Sequence, residues 1–178
     1  MSKALNVAVC QINPTLGNFQ KNIDIISKNY KSAVEKGADL VVFPEMSITG
    51  YPPQDLLNNK EFISQNISCL NELTKSITIP CILGYVDFED NKKFNAAAVC
   101  QDGEIVYKYH KIHLPNYDVF DERRYFHSGD SVGIFDLKVN NSDYKIALQI
   151  CEDLWEDEYE RKISGEIIEN KPDLIINN

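Results

Sequence analysis

The spacing of apolar residues predicts three helices in this chain. From Asn18 to Lys36, apolar side chains recur at every third or fourth position, and Gly37 is a typical residue just beyond a helix end. A further helix is expected over Glu156–Glu169, where apolar and charged residues alternate with a similar period. The remaining helix is marked by its apolar positions, which are Ile63, Ile67, Leu70 and either Leu73 or Thr74.

Short apolar runs between and after these helices predict strands. The expected strands are Leu5–Ile12, Asp39–Phe43, Pro80–Val86, Asn95–Gln101, Glu104–Lys111, Val132–Leu137, Tyr144–Ile150 and a last one beginning at Leu174. Asp102-Gly103 separates two of these runs and is typical of a hairpin turn. Strands that alternate with helices and include a hairpin indicate one α/β layered domain with a mixed sheet. The segment from Ile112 to Asp130 has no period, and a loop of that length is usually functional.

Three residues at or just beyond strand ends can carry out chemistry: Glu45, Lys111 and Cys151. A cysteine at a strand-to-helix turn is exposed, and the N–H groups and dipole of the following helix would stabilise its thiolate. Cys151 is therefore expected to be a nucleophile, with Glu45 as general base and Lys111 as partner of the oxyanion. Such a site would hydrolyse an amide through a thioester.

Each of these residues also has a plain structural interpretation. Cys151 could be a small core residue, Glu45 a loop charge and Lys111 a solvated lysine at a strand end. Spacing along the chain does not show whether the three side chains meet. Their shared placement at three strand ends favours the catalytic interpretation.

Composition and charge argue against several other functions. The chain has 178 residues, of which 43% are hydrophobic and 25% charged, as in an ordinary globular domain. A net charge of −9 argues against binding of nucleic acid, which needs Lys and Arg to neutralise phosphates. There is no signal-peptide layout and no apolar stretch of membrane-spanning length, so no membrane contact is expected. Five cysteines without a Cys-x-x-Cys pair favour reduced thiols in a cytoplasm, and three histidines are too few to predict a metal site.

The sequence around the three strand ends resembles the carbon–nitrogen hydrolase (nitrilase) superfamily. The Glu–Lys–Cys triad of that family lies in motifs like Phe43-Pro44-Glu45, Lys111-Ile112-His113-Leu114 and Cys151-Glu152-Asp153. Three longer strings are similar to the glutaminase domains of glutamine-dependent NAD⁺ synthetases: Glu45–Leu57, Leu114–Phe126 and Ile150–Trp155. The resemblance implies an α-β-β-α sandwich of the nitrilase type, with residues 1–178 as a partial glutaminase domain.

The resemblance also implies roles for named residues. Glu45, Lys111 and Cys151 correspond to the triad, and the positions that match the substrate pocket are Tyr117, Tyr51 and Glu122.

Alternatives stay open for three aromatic and acidic residues. Glu122 either orients Lys111 as a second carboxylate or is an exposed loop residue paired with Arg123 or Arg124. Tyr117 either lines the glutamine pocket or is a packed aromatic. Trp155 is expected mainly to pack.

The reaction implied by the resemblance is hydrolysis of glutamine to glutamate. The ammonia would pass to a synthetase domain that amidates deamido-NAD with ATP. No cofactor is expected in the hydrolase domain; ATP and Mg²⁺ would belong to the synthetase domain, whose Ser-Gly-Gly-type loop is absent from these residues. Because the sequence stops just after an apolar strand, we expect the hydrolase fold to continue beyond Asn178, and we expect a homo-oligomer.

Two other functions compete with this one. A free-standing amidase of the same superfamily would act on another small amide or carbamoyl substrate, but the Leu114–Tyr117 and Tyr51–Asp55 strings argue against it. A silent interaction module would have no reason to keep Glu45, Lys111 and Cys151 together.

Overall fold

The computed structural model describes residues 4–178, and its first five strands form one mixed sheet. Strands β1 (Val7–Val9), β2 (Leu40–Val42) and β3 (Cys81–Glu89) are parallel, and β4 (Lys92–Gln101) and β5 (Glu104–His110) add an antiparallel hairpin. Because β2 and β5 run in the same direction, their C-terminal ends lie at the same edge of the sheet.

Two helices cover one face of this sheet. Helix α1 (Phe19–Glu35) begins after Asn18, whose side chain accepts a hydrogen bond from the N–H of Lys21, and helix α2 is Lys60–Thr74. The apolar sides of both helices share one core with one face of the sheet. Within residues 4–178, no helix combines the length and the apolar character that crossing a membrane requires.

A second, three-stranded sheet packs on the other face of the first. Its strands are β6 (Gly133–Val139), β7 (Ser142–Gln149) and β8 (Leu174–Asn177); β6 and β7 are antiparallel, whereas β7 and β8 are parallel. Apolar side chains of both sheets form a second core between them, to which Ile163 of helix α3 (Ile163–Glu169) contributes. The α-β-β-α sandwich expected from the sequence is confirmed.

The third predicted helix is wrong in its first half. Residues 156–158 form a separate 3₁₀ turn, and Tyr159 is extended, with its ring stacked 4.1 Å from that of His113. The helix begins only at Ile163, because the Glu156 carboxylate turns back and accepts a hydrogen bond of 3.0 Å from the N–H of Ser164. Glu156 therefore caps the helix that it was expected to start.

Most strand predictions are confirmed with shifted ends. Strand β1 is only Val7–Val9 rather than Leu5–Ile12, whereas β3 extends beyond Val86 to Glu89 and β4 begins already at Lys92. The extension follows from the hairpin, in which each added residue of β3 finds a partner on β4.

A glycine lets β3 pass close to the segment that carries Glu45. A Cβ atom added at Gly84 would lie 2.4 Å from the backbone nitrogen of Met46 and 2.5 Å from the carbonyl oxygen of Pro44. The carbonyl of Gly84 also accepts hydrogen bonds of 3.1 Å from both the N–H of Ile48 and the hydroxyl of Ser47. The turn that follows β2 is thus fixed by backbone contacts with β3.

We therefore expect Gly84→Ala to destabilise the protein by about 1–3 kcal/mol, because the added methyl group forces two backbones apart. Gly165→Ala is the matched control, since a Cβ at Gly165 in helix α3 meets nothing within 4 Å. That control should be neutral or stabilising by about 0.5–1 kcal/mol. Free energies of unfolding from denaturant titration measure both, and equal effects of the two substitutions would contradict this account.

Candidate active site

Glu45, Lys111 and Cys151 come from three different strand ends and lie at one site. Lys111 follows β5 and is fully buried, and its Nζ lies 2.8 Å from Oε1 of Glu45, which follows β2. Cys151 lies two residues beyond the end of β7, and both Glu45 and Lys111 act electrostatically on the pKa of its thiol. The structure thus excludes Lys111 as a solvated lysine and brings together the three residues that the sequence singled out.

A second carboxylate, that of Glu122, completes the surroundings of Lys111. Its Oε1 lies 3.0 Å from Lys111 Nζ, and its side chain is only 5% exposed. Of the two arginines considered as its partners, Arg124 forms a long ion pair of 3.7 Å with Asp121, and Arg123 donates from Nε to the carbonyl of Leu114. The interpretation of Glu122 as an exposed loop charge is therefore wrong, and its placement fits the alternative in which it orients Lys111.

Asn95 is part of this cluster, and sequence reasoning missed it. Its Nδ2 donates to Oε1 of Glu45 at 2.6 Å and to Oε2 of Glu122 at 3.2 Å, and its carbonyl accepts from the N–H of Lys111 at 2.9 Å. The side-chain amide of this fully buried residue therefore joins both carboxylates, while its backbone carbonyl binds the backbone N–H of the lysine. The available signal was a polar residue directly before the apolar run that starts at Ala96.

The charges of this cluster sustain one another. Burial alone would lower the pKa of Lys111, but the carboxylates of Glu45 and Glu122 raise it well above its usual range. Burial raises the pKa of Glu122, and Glu45 adds to this effect, whereas Lys111 and the hydrogen bond from Asn95 oppose it. Lys111 is therefore a permanent cation at any physiological pH.

Cys151 is exposed at a tight turn. Its φ of +43° lies in the left-handed region, and it opens a 3₁₀ helix of only four residues, Cys151–Leu154. Asn178 holds this turn: its carbonyl accepts from the N–H of Cys151 at 3.2 Å, and its Nδ2 donates to the carbonyl of Phe43, just before Glu45. The turn of the thiol and the end of β2 are therefore joined.

The expected stabilisation of the thiolate by a helix N-terminus is wrong. Loss of hydration raises the pKa of the Cys151 thiol to about 11, the nearby carboxylates led by Glu45 add to this, and Lys111 opposes it. A single 3₁₀ turn carries little dipole, and three carboxylates outweigh one ammonium. The resting group is a neutral thiol.

The wall of an open cleft of about 570 Å³ includes Glu152, the residue after Cys151, whereas Cys151, Glu45 and Lys111 are not among its lining residues. The Glu152 side chain is almost fully buried and accepts hydrogen bonds of 3.0 Å from the hydroxyls of Tyr117 and Tyr159. The lining residues are Asn116, Tyr117, Arg123, Glu152, Trp155, Asp157, Glu158 and Tyr159. Sequence reasoning quoted Glu152 only as part of a motif, although an acid beside a nucleophile was the available signal.

The three aromatic residues considered from the sequence occupy different places. Tyr117 lines the cleft and is half exposed, so it is not a core aromatic. The hydroxyl of Tyr51 donates to Oε1 of Glu122 at 3.0 Å. Trp155 is 68% exposed at the cleft, so the expectation that it packs is wrong; the chain turns outward there, between two 3₁₀ turns.

One group of side chains in residues 4–178 has ligand atoms close enough to hold a metal ion: Asp87, Glu89 and His110, within 4.8 Å of one another. The ammonium of Lys108 already forms ion pairs with these carboxylates, since its Nζ lies 3.1 Å from Asp87 and 2.9 Å from Glu89. His110 also binds Asp87, at 3.0 Å, and its ring stacks on Phe94. These contacts suit a salt-bridge network rather than a metal centre.

Comparison with known proteins gives a consistent family. The family model described as carbon-nitrogen hydrolase matches residues 6–169. Glutamine-dependent NAD(+) synthetase of Thermotoga maritima is 42% identical over 156 residues, which are 86% of this chain and 26% of that protein.

Solved structures agree with this family. The glutamine-dependent NAD+ synthetase from Acinetobacter baumannii, determined with adenosine diphosphate, superimposes with a TM-score of 0.86 and 30% identity, over 99% of this chain and 32% of that one. An amidase from Nesterenkonia sp. shares the fold with a TM-score of 0.72 and 21% identity, over 84% of this chain and 56% of that one. The chain spans about a quarter to a third of the synthetases. It belongs to the carbon–nitrogen hydrolase family.

The electrostatics of the site predict how Cys151 reacts with iodoacetamide. Because only the thiolate reacts and the pKa is about 11, we expect the rate to rise about tenfold per pH unit from pH 7 to 10. The rate is measured by mass spectrometry of the peptide that contains Cys151. The Cys151→Ala variant gives the background alkylation of the other cysteines. A rate that levels off below pH 8 would show a preformed thiolate and contradict this description.

Proposed function

We propose that this carbon–nitrogen hydrolase cleaves the side-chain amide of glutamine with Cys151, Lys111 and Glu45. The observation that carries the proposal is the buried ammonium of Lys111, held at 2.8 Å by Glu45 and at 3.0 Å by Glu122 beside the thiol. The substrate is inferred from the NAD synthetases named above, and the cleft offers room for an amino acid.

In the first half-reaction, the sulfur of Cys151 attacks the amide carbon while its proton moves to Glu45. The carbonyl electrons move onto oxygen, and Lys111 stabilises the resulting oxyanion. Collapse of this intermediate re-forms the carbonyl, breaks the carbon–nitrogen bond and leaves a γ-glutamyl thioester, while Glu45 returns its proton to the departing ammonia. Because the thiol is neutral at rest, transfer of its proton is coupled to attack.

In the second half-reaction, water attacks the thioester. Glu45 accepts a proton from the water, and Lys111 again stabilises the oxyanion. Glutamate is released when the carbon–sulfur bond breaks and the proton returns to Cys151. One molecule of glutamine and one of water thus yield glutamate and ammonia.

Two differences between the carboxylates around Lys111 support Glu45 as the base. Glu45 has the larger electrostatic effect on the Cys151 thiol and a side chain that is 15% exposed. Glu122 is 5% exposed, and its Oε1 accepts a hydrogen bond from Tyr51 in addition to its contact with Lys111, whereas Asn95 donates to both carboxylates. In the proposed mechanism, Glu45 is the base and Glu122 holds the ammonium in place.

The cleft favours a substrate that carries an ammonium group. Glu152 is almost fully buried, and the acidic groups of Asp157 and Glu158 also line the cleft. The hydroxyls of Tyr117 and Tyr159 keep the Glu152 carboxylate in one orientation. The α-ammonium of glutamine would be attracted to this wall, and the ring of Tyr117 would pack on the aliphatic stem of the substrate.

The ammonia would be used by a synthetase region like that of the relatives, which amidates deamido-NAD at the expense of ATP with Mg²⁺. The present chain covers 26% of the Thermotoga maritima protein, so that reaction would lie in residues other than these. The partial hydrolase domain of residues 1–178 would then act as the ammonia source, in the cytoplasm and in a homo-oligomer.

We expect Cys151→Ala, in a protein that joins this chain to such a synthetase region, to abolish NAD⁺ formation with glutamine and to spare it with free ammonia. Only the hydrolase site needs a nucleophile. Both rates are measured as NAD⁺ formation, together with glutamate release, and Cys69→Ala on helix α2 is the control that should change neither.

Two results would overturn the proposal. Equal loss of activity with glutamine and with ammonia would remove the separation of the two sites. Glutamate release at the normal rate without Cys151 would remove the thiol from the mechanism.

A further inference from the structure

We infer that Asp153 is a positioning residue that holds the strand end carrying Lys111 against the turn carrying Cys151. The inference rests on the proposed function, because it gives Asp153 a role in the geometry of that same site. Asp153 is fully buried and is the second residue after Cys151.

Each oxygen of the Asp153 carboxylate accepts two hydrogen bonds. Oδ1 accepts from the N–H groups of Ile112 at 3.1 Å and His113 at 2.8 Å. Oδ2 accepts from the hydroxyl of Tyr109 at 2.8 Å and from the N–H of Ile150 at 2.9 Å. Burial raises the pKa of Asp153, whereas the donors directed at its carboxylate favour the ionised form.

These four donors come from the two segments that must meet for catalysis. Tyr109, Ile112 and His113 lie on both sides of Lys111, at the end of β5 and just beyond it. Ile150 precedes Cys151, and Asp153 itself belongs to the 3₁₀ turn that Cys151 opens. The carboxylate therefore joins the backbone around the ammonium, in the first sheet, to the backbone around the thiol, which follows the second sheet.

This link is separate from the ion pairs of Lys111. In the described part of the chain, Asp153 forms no ion pair, and its partners are backbone amides and one phenol. Loss of the carboxylate would therefore leave Glu45 and Glu122 bound to Lys111. These three residues could then move together relative to Cys151. A displacement of about 1 Å between reacting groups can slow an enzyme by about a hundredfold.

Asp153→Asn tests the inference, because it keeps the shape of the side chain while its amide NH₂ must face at least one N–H donor. Loss of positioning would move Lys111 away from the thiol together with Glu45 and Glu122, whose carboxylates outweigh the ammonium, and would therefore speed the reaction of Cys151 with iodoacetamide. Loss of the negative charge of Asp153 would also speed this reaction. Tyr109→Phe separates the two explanations, because it weakens the link without a change in charge.

We expect Asp153→Asn to speed alkylation of Cys151 at pH 8 several-fold and to lower kcat for glutamine hydrolysis about tenfold to a hundredfold, with KM changed less than about threefold. Tyr109→Phe removes one donor without a change in charge, and it should shift both quantities in the same direction by less. Asp173→Asn is the control: that carboxylate accepts the N–H of Lys145 at 2.8 Å, at the other end of the second sheet, and its loss should leave both rates unchanged.

All rates are measured below the unfolding midpoint of each variant, so that only folded protein is compared. Unchanged alkylation in Tyr109→Phe, or an unchanged kcat in Asp153→Asn, would overturn the inference and leave Asp153 a purely structural residue. Because alkylation does not require glutamine, a protein that never hydrolyses glutamine would refute the proposed function while still testing the role of Asp153.

Discussion

The ammonium of Lys111, shared by two buried carboxylates, is the interaction on which the site depends. Removing a partner from a buried ion pair leaves an uncompensated charge and typically costs about 3–5 kcal/mol. Here Glu45 and Glu122 share one cation and Asn95 donates to both, so the two carboxylates hold Lys111 in its charged form. The fold positions this cluster. Strands β2 and β5 end at the same edge of the first sheet, and the Cys151 turn, which follows the second sheet, lies beside these two strand ends.

The same cluster explains why the cysteine is protonated at rest. The Glu45 and Glu122 carboxylates act against a thiolate, and one ammonium does not compensate for them. The Cys151 thiol keeps its proton until Glu45 accepts it during attack on the substrate. This protects the cysteine, because a neutral thiol reacts slowly with electrophiles other than the bound substrate. Glu45 thus both raises the pKa of Cys151 and, in the proposed mechanism, accepts its proton.

The apolar runs predicted an α/β layered domain and the three strand ends, because buried strands are continuous apolar runs and a charged residue directly after such a run is conspicuous. The division into two sheets was implied only by the resemblance to the carbon–nitrogen hydrolases. The sequence did not predict Asn95, whose role arises from a cross-strand neighbour, β5, and from two loops distant in sequence. It also placed helix α3 too early, because Glu156 acts as a cap through a contact eight residues away. The pKa of Cys151 was misjudged, since a helix start was visible in the sequence and the number of surrounding carboxylates was not.

The most direct test of this account compares Glu45→Gln with Glu122→Gln in the first half-reaction. Both side chains contact Lys111, but only Glu45 is assigned to move the proton of Cys151. Rapid mixing with glutamine, acid quenching and mass spectrometry measure the γ-glutamyl thioester on Cys151. We expect Glu45→Gln to slow thioester formation by about a hundredfold or more, within the range of general-base catalysis, and Glu122→Gln to slow it clearly less. Equal losses in the two variants, or a wild-type protein that forms no adduct on Cys151, would contradict this account.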